Sequence, residues 1–233
     1  MHDILRADTH PARTRRPTRN DTKGMPMARD EERLRRSQQE PIVGGLPDVP
    51  GIGVAIRLTP GLGVHLRGLA DELLVNDFPG ATIDRVEREM LATAVSAAND
   101  CFFCMDSHAA HATALLERSG GATEHVALID EIKRGSSDGF DDKMQALLHV
   151  SRTVRRDPLA LTAADVAAAT AAGATDADVQ LAVLIAAAFS MYNRMVDGFR
   201  AMTPPTTEAY RARASEIAEH GYSVPPAAVP GRG

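Results

Sequence analysis

Residues 82–118 read TIDRVEREMLATAVSAANDCFFCMDSHAAHATALLER. The stretch parses as two helices with a break between them. Asp84 and Glu87 stand three apart before an apolar run, the spacing of a capping box that opens a helix. That helix runs from Thr82 to Ala98, after the Pro79–Gly80 turn. Asn99–Asp100 interrupts it and caps a second helix, Cys101 to Arg118, which stops at Gly120–Gly121.

The same pattern extends outward. Upstream, Leu66, Leu69, Leu73 and Leu74 share one face of a helix over Val64–Val75. Downstream, helices are expected over Thr123–Lys133, Asp141–Arg155, Thr162–Ala172, Thr175–Phe199 and Thr206–Glu219. Thr162-x-x-Asp165 and Thr175-x-x-Asp178 repeat the capping-box spacing. No segment alternates with the period of two that a half-buried strand needs. The chain holds 38 Ala, no Trp and only 4% aromatics. Ala favours helices and is poor in strands, which excludes a β-sandwich or barrel. The fold class is all-α, a helical bundle. A weak internal echo at an offset of 90 pairs Leu91-Ala92 with Leu181-Ala182 and Val95 with Ile185. One reading of it is two related helical halves, only the first with cysteines.

Charge divides the chain. Residues 1–40 carry ten Lys and Arg against seven Asp and Glu, while the rest carry 16 against 24. Residues 1–45 lack apolar periodicity and are read as a disordered basic leader. Gly44–Gly63 reads as an extended lead-in. The helical domain spans 46–203, and residues 204–233 form a last helix and a disordered tail ending VPPAAVPGRG. The net charge of −5 argues against a nucleic-acid partner. No run of 18 apolar residues suggests a membrane span, and no apolar stretch follows Arg15–Arg16 as a twin-arginine signal requires. The expected location is the cytoplasm.

Two cysteines exclude a disulfide-stapled scaffold and a four-cysteine zinc site. Both lie in Cys101-x-x-Cys104, followed by His108 and His111. On a helix these four form one stripe. The helix start favours a thiolate, because its unpaired N–H groups and dipole face the sulfur. His108, one turn past Cys104, is placed to accept its proton. Glu89 lies on the preceding helix, twelve residues before Cys101, and an antiparallel packing would bring it back to His108 to orient the imidazole and hold a proton. Zinc held by Cys101, Cys104, His108 and His111 is excluded, since ten residues of one helix span about 15 Å and cannot converge on one ion. A c-type haem needs His where Met105 stands, and a thioredoxin fold needs strands. No cofactor or metal is expected. His65 and His149 are read as structural, Tyr192 and Asn193 as core residues.

Glu89-x11-Cys101-x2-Cys104-x3-His108 resembles the signature of the alkylhydroperoxidase D-like, carboxymuconolactone decarboxylase superfamily. Arg88-Glu89, the Ala-rich approach to Cys101 and the segment Tyr192–Gly198 resemble its peroxidase-related branch. The resemblance covers about residues 45–203 and implies an all-helical homo-oligomer, a dimer, trimer or hexamer. It implies that Cys104 is the peroxidatic thiol and Cys101 the resolving thiol, with Glu89 and His108 as proton relay. It implies a peroxide substrate and an external dithiol reductant, a lipoylated or thioredoxin-like protein. Where the family's best-studied relay has a His before the second cysteine, this chain has Phe103; His111 is the candidate substitute. Two other functions stand beside this one: a lactone decarboxylase, which has no need of a thiol pair, and a non-enzymatic redox-active helical oligomer.

Overall fold

A computed structural model describes residues 26–120 and 123–223. Among these residues there are ten α-helices and no strand. They are α1 (Pro26–Ser37), α2 (Gly53–Leu58), α3 (Pro60–Leu74), α4 (Arg85–Ala98) and α5 (Phe102–Arg118). Then follow α6 (Thr123–Arg134), α7 (Asp142–Arg156), α8 (Ala163–Ala171), α9 (Asp176–Gly198) and α10 (Arg211–His220). The all-α expectation holds, and the helices from α3 onward begin and end within a few residues of the limits the sequence suggests.

The centre is α4, α5, α7 and α9. Leu91, Ala92, Val95, Leu147, Leu148, Leu181, Ala182 and Ile185 are wholly buried there. The echo positions 91/181, 92/182 and 95/185 therefore lie in one core. Helix α9 is 23 residues long and, by length and composition, apolar enough to cross a membrane. Here it is the central, mostly buried helix of the bundle.

Local chemistry sets the helix starts. Asp84 and Glu87 exchange bonds with each other's backbone N–H at 2.9 and 2.7 Å. Thr175 and Asp178 do the same at 3.0 Å in both directions. Asp178 reaches further, accepting from the Thr82 and Ile83 N–H groups and the Thr82 hydroxyl at 2.6, 3.0 and 2.7 Å. One buried carboxylate thus caps α9 and fixes the segment that leads into α4. Burial alone would raise its pKa, but the bonds from Thr175, Thr82 and Ile83 outweigh it and hold the group at about 2.

The turn between α4 and α5 places the cysteines. Asp100 takes a left-handed φ of 57°, which short polar side chains tolerate. The Asp100 and Cys101 N–H groups bond back to Ala97 and Ser96 carbonyls at 3.1 and 3.0 Å. This pair closes α4 and reverses the chain at once. A buried polar network locks the turn to neighbouring helices. Asn99 bonds to Asn193 at 2.8 Å, Asn193 to Ser96 at 3.0 Å, and Arg155 to Asn99 at 2.7 Å. Asn193 is thus a helix-packing residue, and the Tyr192 hydroxyl bonds the Leu66 carbonyl at 2.7 Å within the core.

Two expectations are corrected. Residues 26–37 of the supposed leader form helix α1, and its arginines dock on α5. Arg33 bonds to Asp106 at 2.7 Å, an aspartate with a fully buried side chain that also faces Lys133 at 3.0 Å. Arg29 bonds to Met105 Sδ at 3.5 Å; Arg36 lies over the Phe102 ring and pairs with Asp197 at 3.2 Å. Arg29, Arg33 and Arg36 share a helix face, so ion pairing holds α1 where apolar periodicity is lacking. Second, the Gly44–Gly63 lead-in contains α2 and the start of α3. Residues 1–25 of the leader and residues 224–233 of the tail lie outside the described residues.

Candidate functional site

Cys101 is the N-cap of α5, and Cys104 sits in its first turn. Both are free thiols, 0% and 3% exposed. They lie in an apolar cluster with Val54, Val196 and Ala201, covered by Leu46, Val49, Ile52, Phe103 and Phe199. The Cys101 thiol is pushed well up, first by its hydrogen bond to Cys104 and then by burial. The Cys104 backbone N–H opposes this only in part, so the helix start does not make Cys101 a thiolate. It remains a protonated donor to its partner sulfur. Burial also pushes the Asp197 carboxyl up, against Arg36 and a hydrogen bond from Cys101.

One turn further along α5, His108 Nδ1 lies 2.7 Å from Glu89 Oε2. Both side chains are buried, Glu89 completely. The antiparallel α4–α5 pair brings them together, 19 residues apart in sequence. The other carboxylate oxygen, Oε1, accepts the Tyr222 hydroxyl at 2.6 Å. His111 Nδ1 is 2.9 Å from that hydroxyl and 3.6 Å from Oε2, too far for a hydrogen bond. Its Nε2 faces Ser107 Oγ at 3.4 Å.

Protons can be assigned by elimination. A carboxylate only accepts, so His108 Nδ1 and Tyr222 both donate to Glu89. Tyr222 then has a lone pair for the His111 Nδ1–H. The Ser107 hydroxyl facing Nε2 can donate or accept, and its contact fits a neutral His111 with Nε2 as acceptor. Burial lowers its pKa in the same sense, against the pull of Glu89. Burial alone would raise Glu89, but the bond from His108 and the neighbouring His111 hold it at about 2. His108, with its proton on Nδ1, keeps a basic Nε2. The Phe189 ring packs edge-on to the imidazole, 4.5 Å between centroids, and fixes its plane.

The structure thus brings Glu89, His108 and His111 into one cluster on α4 and α5, with Cys101 and Cys104 in an adjoining apolar one. The ligand atoms of Glu89, His108 and His111 all lie within 4.8 Å of one another, close enough to hold a metal ion. They come from two helices, unlike the one-helix set excluded from sequence. In this arrangement they are hydrogen-bonded to each other and to Tyr222. Two cavities of about 520 and 580 Å³ lie elsewhere, one between α5, α6 and α10 and one along α9; neither is lined by Cys101, Cys104, Glu89 or His108. The second includes Phe199, which covers the thiols. His65 is exposed, and His149 pairs with Asp165 at 2.9 Å on the surface, a partner not foreseen from sequence.

Residues 69–150 match the model of the carboxymuconolactone decarboxylase family. A peroxidase-related protein of Silicibacter sp. TM1040 superposes with a TM-score of 0.58 at 20% identity, over 87% of this chain and 98% of that one. A protein of Ralstonia eutropha JMP134, described as an alkylhydroperoxidase AhpD core and peroxidase-related, superposes with a TM-score of 0.56 at 26% identity. That likeness covers 70% of this chain and 80% of the other. The family match over residues 69–150 and both structural likenesses support a similarity to the alkylhydroperoxidase D-like, carboxymuconolactone decarboxylase superfamily. No functionally curated protein matches it in sequence.

Sequence reasoning missed Tyr222, Arg33, Asp106 and Asp197. Tyr222 is 111 residues from His111 and had no local pattern to mark it. The one available signal was scarcity, since the chain has only three tyrosines. Another of them, Tyr210, packs on Phe103 with ring centroids 5.5 Å apart.

Proposed function

We propose that this protein is a thiol-dependent peroxidase acting on hydrogen peroxide or a small alkyl hydroperoxide. One observation carries the reading: Cys104 stands one helical turn before His108, whose Nδ1 is 2.7 Å from a buried carboxylate. In the proposed reaction His108 Nε2 takes the Cys104 proton, and Glu89 stabilises the resulting imidazolium. The thiolate attacks one peroxide oxygen, the O–O bond breaks and an S–O bond forms. Sulfur is oxidised to the sulfenic acid, and His108 returns its proton to the leaving hydroxide or alkoxide. Cys101, kept as a thiol, then attacks the sulfenic sulfur. A disulfide forms, and water leaves with the Cys101 proton.

An external dithiol, on a lipoylated or thioredoxin-like protein, reduces this disulfide in two exchange steps and is itself oxidised. The near-complete burial of both sulfurs favours a small oxidant and requires the covering residues to move for the reductant. We place the protein in the cytoplasm, where such dithiols are kept reduced, and as a homo-oligomer. Exposed Leu184 and Met191 on α9 support an apolar contact between copies. Peroxide consumption with a dithiol donor tests the reading. Cys104→Ser abolishes it, and Cys101→Ser leaves a sulfenic acid that a dimedone probe captures.

The family match over residues 69–150 favours a second reading, a lactone decarboxylase using Glu89 and His108 for proton transfer. Release of CO2 from a muconolactone that survives alkylation of both cysteines selects it over the first.

A further inference from the structure

We propose that Tyr222 is a positioning residue of the proton relay, delivered by the C-terminal segment to hold the Glu89 carboxylate aimed at His108. This deepens the peroxidase reading and rests on it. Tyr222 donates to Glu89 Oε1 at 2.6 Å while His108 holds Oε2 at 2.7 Å, so each carboxylate oxygen has one donor. The same hydroxyl accepts from His111 at 2.9 Å. His111 therefore acts on Glu89 through Tyr222.

The segment that carries Tyr222 is held from three sides. Arg85 of α4 donates to the Ile217 and Ala218 carbonyls at the end of α10, at 3.0 and 3.1 Å. Gly221 then turns the chain with φ 79° and ψ −171°, a conformation open essentially to glycine alone. A Cβ there would fall 2.8 Å from Asp71 Oδ1. Asp71 of α3 accepts the Tyr222 and Ser223 N–H groups at 2.6 and 2.9 Å. These contacts hold the backbone and leave the hydroxyl for Glu89.

The charged and titratable groups around the relay are His108 and His111 on α5, Tyr222, Arg85 on α4, Asp71 on α3 and Arg213 on α10. Burial and the adjacent Glu89 charge push the Tyr222 phenol well up, so it stays a donor throughout the working range. Removing that donor raises the pKa of Glu89. The acid side of the rate profile then moves to higher pH.

The test is Tyr222→Phe, with kcat/KM for hydrogen peroxide measured against pH and the Glu89 carboxyl followed by carbon NMR. A lost bond to a charged group predicts an upward shift of about one pH unit in both. Asp71→Asn loosens the segment from outside the site. It gives a smaller shift in the same direction, and none beyond that of Tyr222→Phe when the two are combined. If the wild type consumes peroxide and Tyr222→Phe leaves the profile unmoved, the inference is overturned and the peroxidase reading stands. If the wild type consumes none, that reading fails. The carboxyl titration still decides the role of Tyr222: an upward shift supports it and an unchanged titration rejects it.

Discussion

Asp178 offers a measure of how the bundle holds the start of α4 against α9. Its side chain is fully buried, and it takes four hydrogen bonds of 2.6–3.0 Å from Thr82, Ile83 and Thr175. Those bonds lower its pKa from 3.8 to about 2 against the cost of burial. A difference of about two units corresponds to about 2.5 kcal/mol of stability. The folded pKa lies below the unfolded one. The contribution is therefore complete above about pH 4 and is lost as the pH falls towards 2. Asp178→Asn keeps the shape but sets an NH2 group against donors, which leaves a buried N–H unpaired. The combined cost at pH 7 is about 3 kcal/mol. For a domain of this size that lowers Tm by roughly 6–12 °C. Urea unfolding of wild type and variant from pH 7 to pH 2 measures it. A difference under about 1 kcal/mol at pH 7, or one that stays constant down to pH 2, refutes the reasoning.

Two further perturbations probe the parts that cover α5. Arg33→Ala removes one of two cations on buried Asp106 and leaves Lys133. It should cost about 2 kcal/mol by chemical denaturation, whereas a leader detached from the bundle would show no loss. Gly51→Ala forces a side chain at φ 54°, with its Cβ within 2.1 Å of the Phe103 ring. The expected result, read by chemical denaturation and thiol alkylation, is a loss of more than about 1 kcal/mol and faster alkylation of Cys104.

The parts legible in the sequence are those governed by short-range chemistry. Asp84–Glu87 and Thr175–Asp178 mark the starts of α4 and α9, and Asn99–Asp100 marks the turn between α4 and α5. Helical spacing alone predicts the stripe from Cys104 to His108, and the antiparallel packing that brings Glu89 back to it is one arrangement the sequence allows. What escaped notice depends on long-range polar contacts. Helix α1 has little apolar periodicity and is held by arginines whose partners lie more than 70 residues away. Helix α2 is six residues long, among glycines that suggest a loop. Tyr222 follows a polar helix, and its placement beside Glu89 depends on the turn at Gly221. The helix-start argument for thiolates was too general: it neglected the apolar cluster around Cys101, where burial and the neighbouring sulfur prevail over the backbone.

The most direct test of the proposed chemistry is a stoichiometric one. The reduced protein is mixed with one equivalent of hydrogen peroxide, without reductant, and its thiols and intact mass are followed. The account predicts loss of both thiols and a Cys101–Cys104 disulfide two mass units lighter than the dithiol. In Cys101→Ser it predicts a dimedone adduct on Cys104. Peroxide left unconsumed by the wild type, or consumed equally fast by Cys104→Ser, would contradict it.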